Sequence, residues 1–297
     1  MSVSLRPFLG LFFFLLLVPS LVTAQVDFST SRSFGDSITA NDNVHLYFPP
    51  ELGLDPTIYG ADPFEATFNK SAASDDTLTN FAVPGATSGQ VLLVVKGYVT
   101  SRQLNLVSPA TLVSLQAGGN DFFTAENLAI LGTARPGEND EADAIVDRVK
   151  HNLMTAVTLL RKVDSPQIVL WTVPDVTLTP YFASFGLSDE MTENVRLHIA
   201  RLNHFIRTQG NRRDIAICDL ARVLLDVTIT PPVIAGVPLT PPPAFGFASA
   251  LLADPIHPTA VGNAIIANEM IDQLNQNFDS DLTSFTEAEL AMLAGIN

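Results

Sequence analysis

The chain has 297 residues, of which 47% are hydrophobic and 16% charged, and this composition excludes an intrinsically disordered protein. The formal net charge of −15 disfavours nucleic acid and anionic membrane surfaces as partners. Because Cys218 is the only cysteine, an intramolecular disulfide and a cysteine-based zinc site are excluded. Its apolar surroundings in DIAICDL predict a buried core residue.

The N-terminal segment has the pattern of a secretory signal peptide. Arg6 precedes the apolar run PFLGLFFFLLLVPSLVTA, which ends in small or tolerated residues before Gln25. We therefore expect residues 1–24 to be a signal peptide and residues 25–297 to form a single exported domain, secreted or periplasmic. A membrane anchor is the alternative, although the apolar stretch before Pro19 is short for a membrane span.

Apolar runs that are typical of buried strands alternate with helical patterns along the rest of the chain. Strands are predicted in VDFSTSRSF, PATLVSLQAGG, QIVLWTV and DIAICDL. Helices are predicted over residues 141–163 and 189–208 and after Pro258, which can begin the third helix, because apolar residues recur there every three or four positions. The alternation predicts an α/β fold with a parallel sheet covered on both faces. Trp171 is expected to pack in the core.

Two later segments do not fit that alternation. The stretch TITPPVIAGVPLTPPPAFG is apolar and proline-rich, which predicts a long, stiff surface loop. The acidic FDSDLTSFTEAEL begins like a calcium loop at Asp279, but Ser284 and Leu290 stand where the turn glycine and the bidentate glutamate belong. We expect instead a solvated helix end followed by a capped, acidic helix, and no metal.

Four short sequences carry residues suited to catalysis, namely FGDSIT, NFAVPGATS, AGGND and DPIHPT. In the last, the three-residue spacing puts the Asp254 carboxylate within reach of the His257 Nδ1 and leaves Nε2 to act as a base. A serine such as Ser37 becomes a nucleophile when a base removes its proton. From the residues alone, however, each segment is better explained by a structural role: GDS as a turn with a capping serine, and DPIH as a turn with a capping aspartate.

Acyl transfer also needs hydrogen-bond donors for the developing oxyanion. Gly85 lets the backbone approach a ligand closely, and Asn120 can point its amide into the same space. Gly85 as a turn glycine and Asn120 as a helix cap are the structural alternatives. We interpret the neighbouring Asp36 and Asp121 as hydrogen-bond acceptors rather than catalytic acids.

The position of these residues relative to the predicted strands is informative. Ser37, the turn at residues 118–121 and Asp175 each follow a strand directly, so a parallel sheet would gather them at one edge. The remaining histidines are expected at the surface or at an interface, one in a loop and three on predicted helices. They are His45, His151, His198 and His204.

Together, and in this order, the four segments resemble the sequence blocks of the GDSL esterase/lipase family, also called SGNH hydrolases, across residues 34–258. The resemblance implies a three-layer α/β/α sandwich with a flavodoxin-like sheet. It also implies Ser37 as nucleophile, His257 as base and Asp254 as its orienting partner, with no organic cofactor. The implied oxyanion hole consists of the Ser37 and Gly85 N–H groups and the Asn120 side chain.

The sequences NFAVPGATSG and AGGND are similar to those of the secreted lipase, phospholipase and thermolabile-haemolysin-like branch of this family. Two departures occur: Ile38 replaces a leucine, and the following TANDN lacks a glycine. The chain also lacks G-x-S-x-G, which argues against an α/β-hydrolase.

The substrate is predicted only by class. Residues 49–67 and 227–247 are expected to shape the pocket, and their apolar content indicates a small-molecule or lipid ester. The alternatives are a carbohydrate O-acetylesterase, a non-catalytic secreted binding protein and a membrane-anchored interaction protein.

Overall fold

The computed structural model describes residues 28–40, 56–71 and 79–296, so the predicted signal peptide lies outside the described residues. Five parallel strands form the central sheet: Ser31–Phe34 (β1), Thr79–Asn80 (β2), Leu112–Leu115 (β3), Gln167–Trp171 (β4) and Ile215–Cys218 (β5). Their spatial order is β2-β1-β3-β4-β5, which is the flavodoxin-like order of a doubly wound sheet. The predicted fold class is therefore confirmed.

Helices cover both faces of the sheet in the described part of the chain. On one face lie Ser88–Gln103 (α2), Ala125–Gly132 (α4), Asp140–Val163 (α5) and Asp189–Gln209 (α7). On the other lie Pro63–Ser71 (α1), Leu220–Ile229 (α8) and Ala260–Phe278 (α9). Shorter helices are Gly119–Phe122 (α3), Pro180–Ala183 (α6) and Glu287–Leu293 (α10). None of the helices in these described ranges combines the length and apolar character that a membrane span needs.

Strand β4 is apolar from Ile168 to Trp171 because successive side chains enter two different cores. In β4, Ile168 and Leu170 pack with α2, α5 and α7, whereas Val169 and Trp171 pack with α8 and α9. Trp171 is fully buried, as predicted, and its indole N–H donates to the Ser114 hydroxyl over 2.7 Å. Cys218 is likewise buried, and burial raises the pKa of its thiol well above the ordinary value.

The helices predicted over residues 141–163 and 189–208 are confirmed to within one residue at each end. The third helix begins at Ala260 rather than at Pro258, because Thr259 is its N-cap and accepts a hydrogen bond from Gly262 N–H. The capped acidic helix is confirmed as α10, where Thr286 and Glu289 form a capping box.

The proline-rich stretch is more ordered than the prediction of a surface loop. Val233–Ile234 (β6) and Val237–Pro238 (β7) form an antiparallel pair across a turn at Ala235 and Gly236, both with positive φ. Thr240–Phe245 (β8) then pairs in parallel with Ala250–Leu252 (β9). That prediction was wrong because proline is compatible with strands of this kind. Proline has no backbone N–H to donate, but each strand of a two-stranded pair has one unpaired side on which no donor is needed.

The histidines were predicted at the surface or at an interface, and one prediction is wrong. His151 and His204 are exposed, and His45 lies outside the described residues. His198 is instead fully buried, with its Nε2 3.0 Å from the Ala134 carbonyl oxygen. Burial lowers the pKa of His198, so the neutral ring is favoured inside the fold.

Gly118 gives a direct test of how tightly the sheet edge packs. Its φ is 121°, and an added Cβ would lie 3.0 Å from side-chain carbons of Val149 and Val173. We expect Gly118→Ala to lower the free energy of unfolding by about 2 kcal/mol, measured by urea denaturation. Gly97→Ala, in an open helical position of α2, should instead raise it by roughly 0.5–1 kcal/mol. Equal effects of the two substitutions would contradict this account.

Candidate active site

The carboxyl ends of β1 and β3 meet at the point where the strand order reverses. Phe34 pairs with Leu115 at the end of both strands, and Gln116 N–H donates to the Phe34 carbonyl over 2.9 Å. In doubly wound sheets this switch point is where ligands bind. The turn that carries Ser37 leaves β1 here, and the turn that carries Asn120 leaves β3 beside it.

The turn after β1 is held by a reciprocal hydrogen-bonded pair. Asp36 N–H donates to Gln116 Oε1 over 3.1 Å, and Gln116 Nε2 donates to Asp36 Oδ2 over 3.0 Å. The other Asp36 oxygen accepts from Ile38 N–H over 3.0 Å. Gly35 is required because a Cβ there would lie 2.0 Å from the Thr39 hydroxyl. These contacts fix Ser37, which is half-buried, at the outer bend of the turn.

The pKa of the Asp36 carboxyl is higher than the ordinary value for an aspartate. Burial raises its pKa to about 6, although hydrogen bonds from Ile38 and Gln116 oppose this rise. The charge of His257 also acts to lower the pKa of Asp36, so the imidazole lies within electrostatic range of the turn that carries Ser37. The interpretation of Asp36 as a hydrogen-bond acceptor is confirmed.

Asp121 joins the turn after β3 to the segment that contains Gly85. Its carboxylate accepts from Ser88 N–H over 2.7 Å and from the Ser88 hydroxyl over 2.9 Å. Burial raises the pKa of Asp121. With this anchor in place, Asn120 Nδ2 donates to the Ala86 carbonyl over 3.1 Å. One amide N–H of Asn120 is thereby used, and the other is left for a ligand.

Asp254 and His257 form the hydrogen bond that their spacing predicts. Asp254 is fully buried, and its Oδ2 lies 2.7 Å from His257 Nδ1. Asp254 Oδ1 accepts from the backbone N–H groups of Ile256 and His257, each over 2.8 Å. Because the carboxylate only accepts, Nδ1 carries the proton and Nε2 is the basic nitrogen.

Tyr59 is a site residue that sequence reasoning missed. Its hydroxyl donates to Asp254 Oδ2 over 2.8 Å, to the same oxygen that holds His257. Tyr59 is buried, and Asn263 Nδ2 on α9 donates to its carbonyl over 3.0 Å. No local signal marks Tyr59, because 195 residues separate it from Asp254 in the chain.

Asn80 and Asp62, which sequence reasoning also missed, support the turn that contains Ser37. Asn80 Nδ2 donates to the Thr39 carbonyl over 2.5 Å and to Asp62 Oδ2 over 3.1 Å. Asp62 Oδ1 also caps α1, accepting from the N–H groups of Phe64 and Glu65. Burial raises the pKa of Asp62 to about 7, against the effect of these donors.

An apolar cavity of about 80 Å³ opens beside these turns. Ser37 and Asn120 line it. Ile256 and Pro258, the residues on either side of His257, line it as well. Gly85 is not among the lining residues and lies one residue before Ala86, to which Asn120 donates.

The source of the cavity wall differs from the prediction. Of the described residues within 49–67 and 227–247, only Val227 lines the cavity. The apolar wall comes instead from α8, β9 and α9, whose apolar faces turn toward the carboxyl edge of the sheet, and from residues of the loops at that edge. These loop residues are Ile38, Phe123, Pro174, Val176 and Ile256. Within residues 28–40, 56–71 and 79–296, no group of three histidine, cysteine or acidic side chains is placed to hold a metal ion.

A parallel sheet of this order, with GDS, GGND and DPIH segments at its carboxyl edge, is typical of SGNH hydrolases. The sequence matches the GDSL-like lipase/acylhydrolase family over residues 33–265, which is most of the chain. The chain belongs to this family, and it is a carboxylic ester hydrolase.

Solved structures with a similar fold are distant in sequence. The psychrotrophic esterase EstA from Pseudoalteromonas sp. is 14% identical, with 85% of this chain and 100% of that chain covered and a TM-score of 0.46. A putative acylhydrolase from Bacteroides fragilis is 20% identical over 84% and 87% of the two chains, with a TM-score of 0.47. A GDSL-like lipase from Bacteroides thetaiotaomicron is 17% identical over 87% and 92%, with a TM-score of 0.46. Comparison with curated protein sequences finds no match.

The raised pKa of Asp62 predicts a pH-dependent stability. The folded protein keeps this proton up to about pH 7, whereas the unfolded chain loses it near the ordinary value of 3.8. The folded state therefore binds more protons between these values, and the contribution of Asp62 to the free energy of unfolding falls as pH rises from about 4 to about 7. Three pKa units correspond to roughly 4 kcal/mol.

We expect Asp62→Asn to remove this component, so that in urea denaturation the variant gains stability relative to the wild type as pH rises from about 4 to about 7. Asp272→Asn, at an exposed position of α9, is the matched control and should leave the pH dependence unchanged. A constant difference between wild type and Asp62→Asn from pH 4 to pH 8 would be inconsistent with a buried, protonated Asp62.

Proposed function

We propose that the chain is an exported serine ester hydrolase that cleaves carboxylic esters through an acyl-enzyme on Ser37. The observation that carries the proposal is the buried Asp254–His257 pair, set beside a cavity that both Ser37 and Asn120 line. A nucleophile, an oriented base and an amide donor around one apolar space are the parts that acyl transfer needs.

In the proposed reaction, His257 Nε2 takes the proton of the Ser37 hydroxyl as Oγ bonds to the ester carbonyl carbon. The carbonyl π-electrons move to oxygen, and the tetrahedral intermediate collapses by breaking the bond to the alcohol oxygen. His257 gives its proton to the departing alcohol. Water then attacks the acyl-enzyme while His257 takes its proton, and collapse releases the acid and restores Ser37 Oγ–H.

The oxyanion of each intermediate would accept hydrogen bonds from the Ser37 and Gly85 backbone N–H groups and from Asn120 Nδ2. The link from Asp121 to Ser88 supports this role, because it holds the Asn120 and Gly85 segments together before substrate binds. Preorganised donors of this kind need no rearrangement as the charge develops.

Export is the part of the proposal that depends on residues 1–24. A basic residue, an apolar run and a small-residue end support a cleaved leader and the secreted lipase and phospholipase branch. N-terminal sequencing of protein recovered outside the cytoplasm should begin near Gln25. Recovery of an intact leader in the membrane fraction would favour an anchored protein instead.

Ser37→Ala should abolish hydrolysis of p-nitrophenyl esters from acetyl to palmitoyl, because the variant cannot form an acyl-enzyme. Asn120→Ala should lower kcat by about 10²–10³ without unfolding the protein. Ser108→Ala, in the loop before β3 at the opposite edge of the sheet, is the matched serine control and should retain full activity.

The outcomes of this assay separate the alternatives. An optimum at the acetyl ester would favour an O-acetylesterase. Undiminished activity in Ser37→Ala would overturn Ser37 as nucleophile, and a wild type inactive on every ester would favour a binding protein.

Tyr59→Phe should lower kcat for ester hydrolysis and leave KM nearly unchanged. Without the Tyr59 hydroxyl, Asp254 Oδ2 loses one of the two side-chain donors that fix it, so the His257 imidazole is oriented less firmly. We expect kcat to fall about tenfold.

Tyr98→Phe is the matched control for this substitution. Tyr98 is also buried and donates to a buried carboxylate, Asp164 Oδ2, over 2.5 Å, but it lies outside the site. It should lose similar stability and keep the wild-type kcat. A Tyr59→Phe variant with the kcat of the wild type would reduce Tyr59 to a packing role.

A further inference from the structure

We propose that Asn152, in the middle of α5, is a positioning residue for the oxyanion hole. Its amide orients the Ser88 hydroxyl, and that hydroxyl fixes the Asp121 carboxylate. Asp121 in turn holds the neighbouring Asn120 amide in place. This role rests on the proposed function, since an oxyanion hole is needed only where the chain transfers an acyl group.

Two hydrogen bonds clamp the turn after β3 to the segment before α2. Asn120 Nδ2 donates to the Ala86 carbonyl over 3.1 Å. Asp121 Oδ2 accepts from Ser88 N–H over 2.7 Å. Because Ala86 and Ser88 are alternate residues of one segment, the two bonds fix the direction of that segment as well as its distance. Gly85 directly precedes Ala86, so the clamp also fixes the Gly85 N–H relative to Asn120.

The Ser88 hydroxyl connects this clamp to α5. Its oxygen lies 2.9 Å from Asp121 Oδ1 and 2.9 Å from Asn152 Nδ2. A hydroxyl has one hydrogen to donate, and an amide nitrogen only donates. Asn152 Nδ2 therefore occupies a lone pair of the hydroxyl oxygen, and the hydroxyl hydrogen points at Asp121. Without the amide, the hydroxyl is no longer held in that orientation.

The charge of Asp121 makes the orientation of that hydroxyl important. Both carboxylate oxygens accept from Ser88, one from its N–H and one from its O–H, which suits an ionised carboxylate. Burial raises the pKa of Asp121, while the Ser88 bonds and the positive charge of Arg148 act to lower it. A hydroxyl turned away from Asp121 would leave a buried oxygen with one donor fewer. The carboxylate would then hold the turn after β3 less firmly.

Helix α5 gives the Asn152 amide a rigid support. Val149, Leu153 and Ala156 are buried in the core on one face of this helix, and Asn152 is half-buried beside them. Because asparagine is a weaker helix former than alanine, helix formation does not account for an amide at this position. The bond to Ser88 does account for it. A purely structural link between α5 and α2 would affect the free energy of unfolding but not kcat, so kinetics distinguishes the two roles.

The test measures kcat and KM of the full chain on the p-nitrophenyl ester that the wild type cleaves fastest, together with urea denaturation. We expect Asn152→Ala to lower kcat about tenfold and to leave KM within about twofold, because a displaced amide weakens binding of the oxyanion more than binding of the ester. Asn152→Asp keeps the shape of the side chain but replaces the donor by an acceptor. It should lower kcat at least as much, because the new carboxylate draws the Ser88 hydrogen away from Asp121 and repels it.

A double-mutant cycle with Asn120 shows whether the effect passes through the oxyanion hole. Asn120→Ala already removes the amide that Asn152 positions. Adding Asn152→Ala to that variant should therefore lower kcat by at most about threefold more. Equal tenfold losses in the wild-type and Asn120→Ala backgrounds would mean that Asn152 acts elsewhere, and would overturn its assigned role.

Asn194→Ala is the matched control. Asn194 is also an asparagine of a long helix, α7, and its Nδ2 donates to the Gly132 carbonyl of α4 over 2.9 Å. This amide joins two helices, so its removal should lower stability and leave kcat and KM unchanged. If urea denaturation shows that Asn152→Ala does not fold, Asn152→Asp and its combination with Asn120→Ala provide the same comparison.

Wild-type kcat in the folded Asn152 variants, in an enzyme whose activity depends on Ser37, would overturn the positioning role and leave the proposed function intact. A raised KM with unchanged kcat would indicate a contact with bound substrate and would overturn the positioning role as well. A wild type without hydrolysis of any ester would overturn the proposed function and the role of Asn152 together.

Discussion

The parallel register of β1 and β3 determines where the site forms. Both strands end at the Phe34–Leu115 pair, so the two chain segments that follow emerge side by side at one edge. The Asp36–Gln116 pair then joins them through two hydrogen bonds. A shift of the register by one residue would turn every strand side chain to the opposite face and would break this pair. The sheet core and the geometry of the Ser37 turn therefore depend on the same alignment.

The site also depends on the Asp254 carboxylate, which accepts four hydrogen bonds from two distant parts of the chain. Two backbone donors and His257 Nδ1 come from its own loop, and the Tyr59 hydroxyl arrives from the segment before α1. A buried carboxylate with one donor removed is left under-solvated. The packing of the Tyr59 segment on α9 is thus coupled to the orientation of the imidazole.

The sequence predicts those features that depend on local spacing. The strand and helix periods were sufficient for the parallel sheet and its two helical layers, and the Asp254–His257 hydrogen bond follows from a three-residue separation. Contacts between residues that are distant in the chain have no local spacing from which they could be predicted. Tyr59 meets Asp254 only after the chain has closed, and His198 is polar by type yet lies in the core.

The cavity wall was misassigned for a similar reason. An amphipathic helix such as α8 has one apolar face whether that face covers a filled core or an open space. Only the packing of α8 against β9 and α9 decides between the two. The proline-rich stretch differed from its prediction because short strand pairs place prolines outside the ladder, which composition alone does not reveal.

The buried carboxyls of Asp36 and Asp62 lower the free energy of unfolding at neutral pH, yet their hydrogen bonds hold the backbone of the site in place. Burial raises the pKa of Asp36 to about 6 and of Asp62 to about 7, so ionising them at neutral pH costs free energy that an apolar residue would not cost. Each nevertheless accepts backbone N–H groups at the start of a turn or helix that bears on Ser37, directly or through Asn80. An apolar replacement would leave those N–H groups buried without acceptors, which costs as much or more. The acidic residues are therefore best understood as the means by which irregular backbone is held rigid at the edge of the sheet, where regular strand hydrogen bonds have ended.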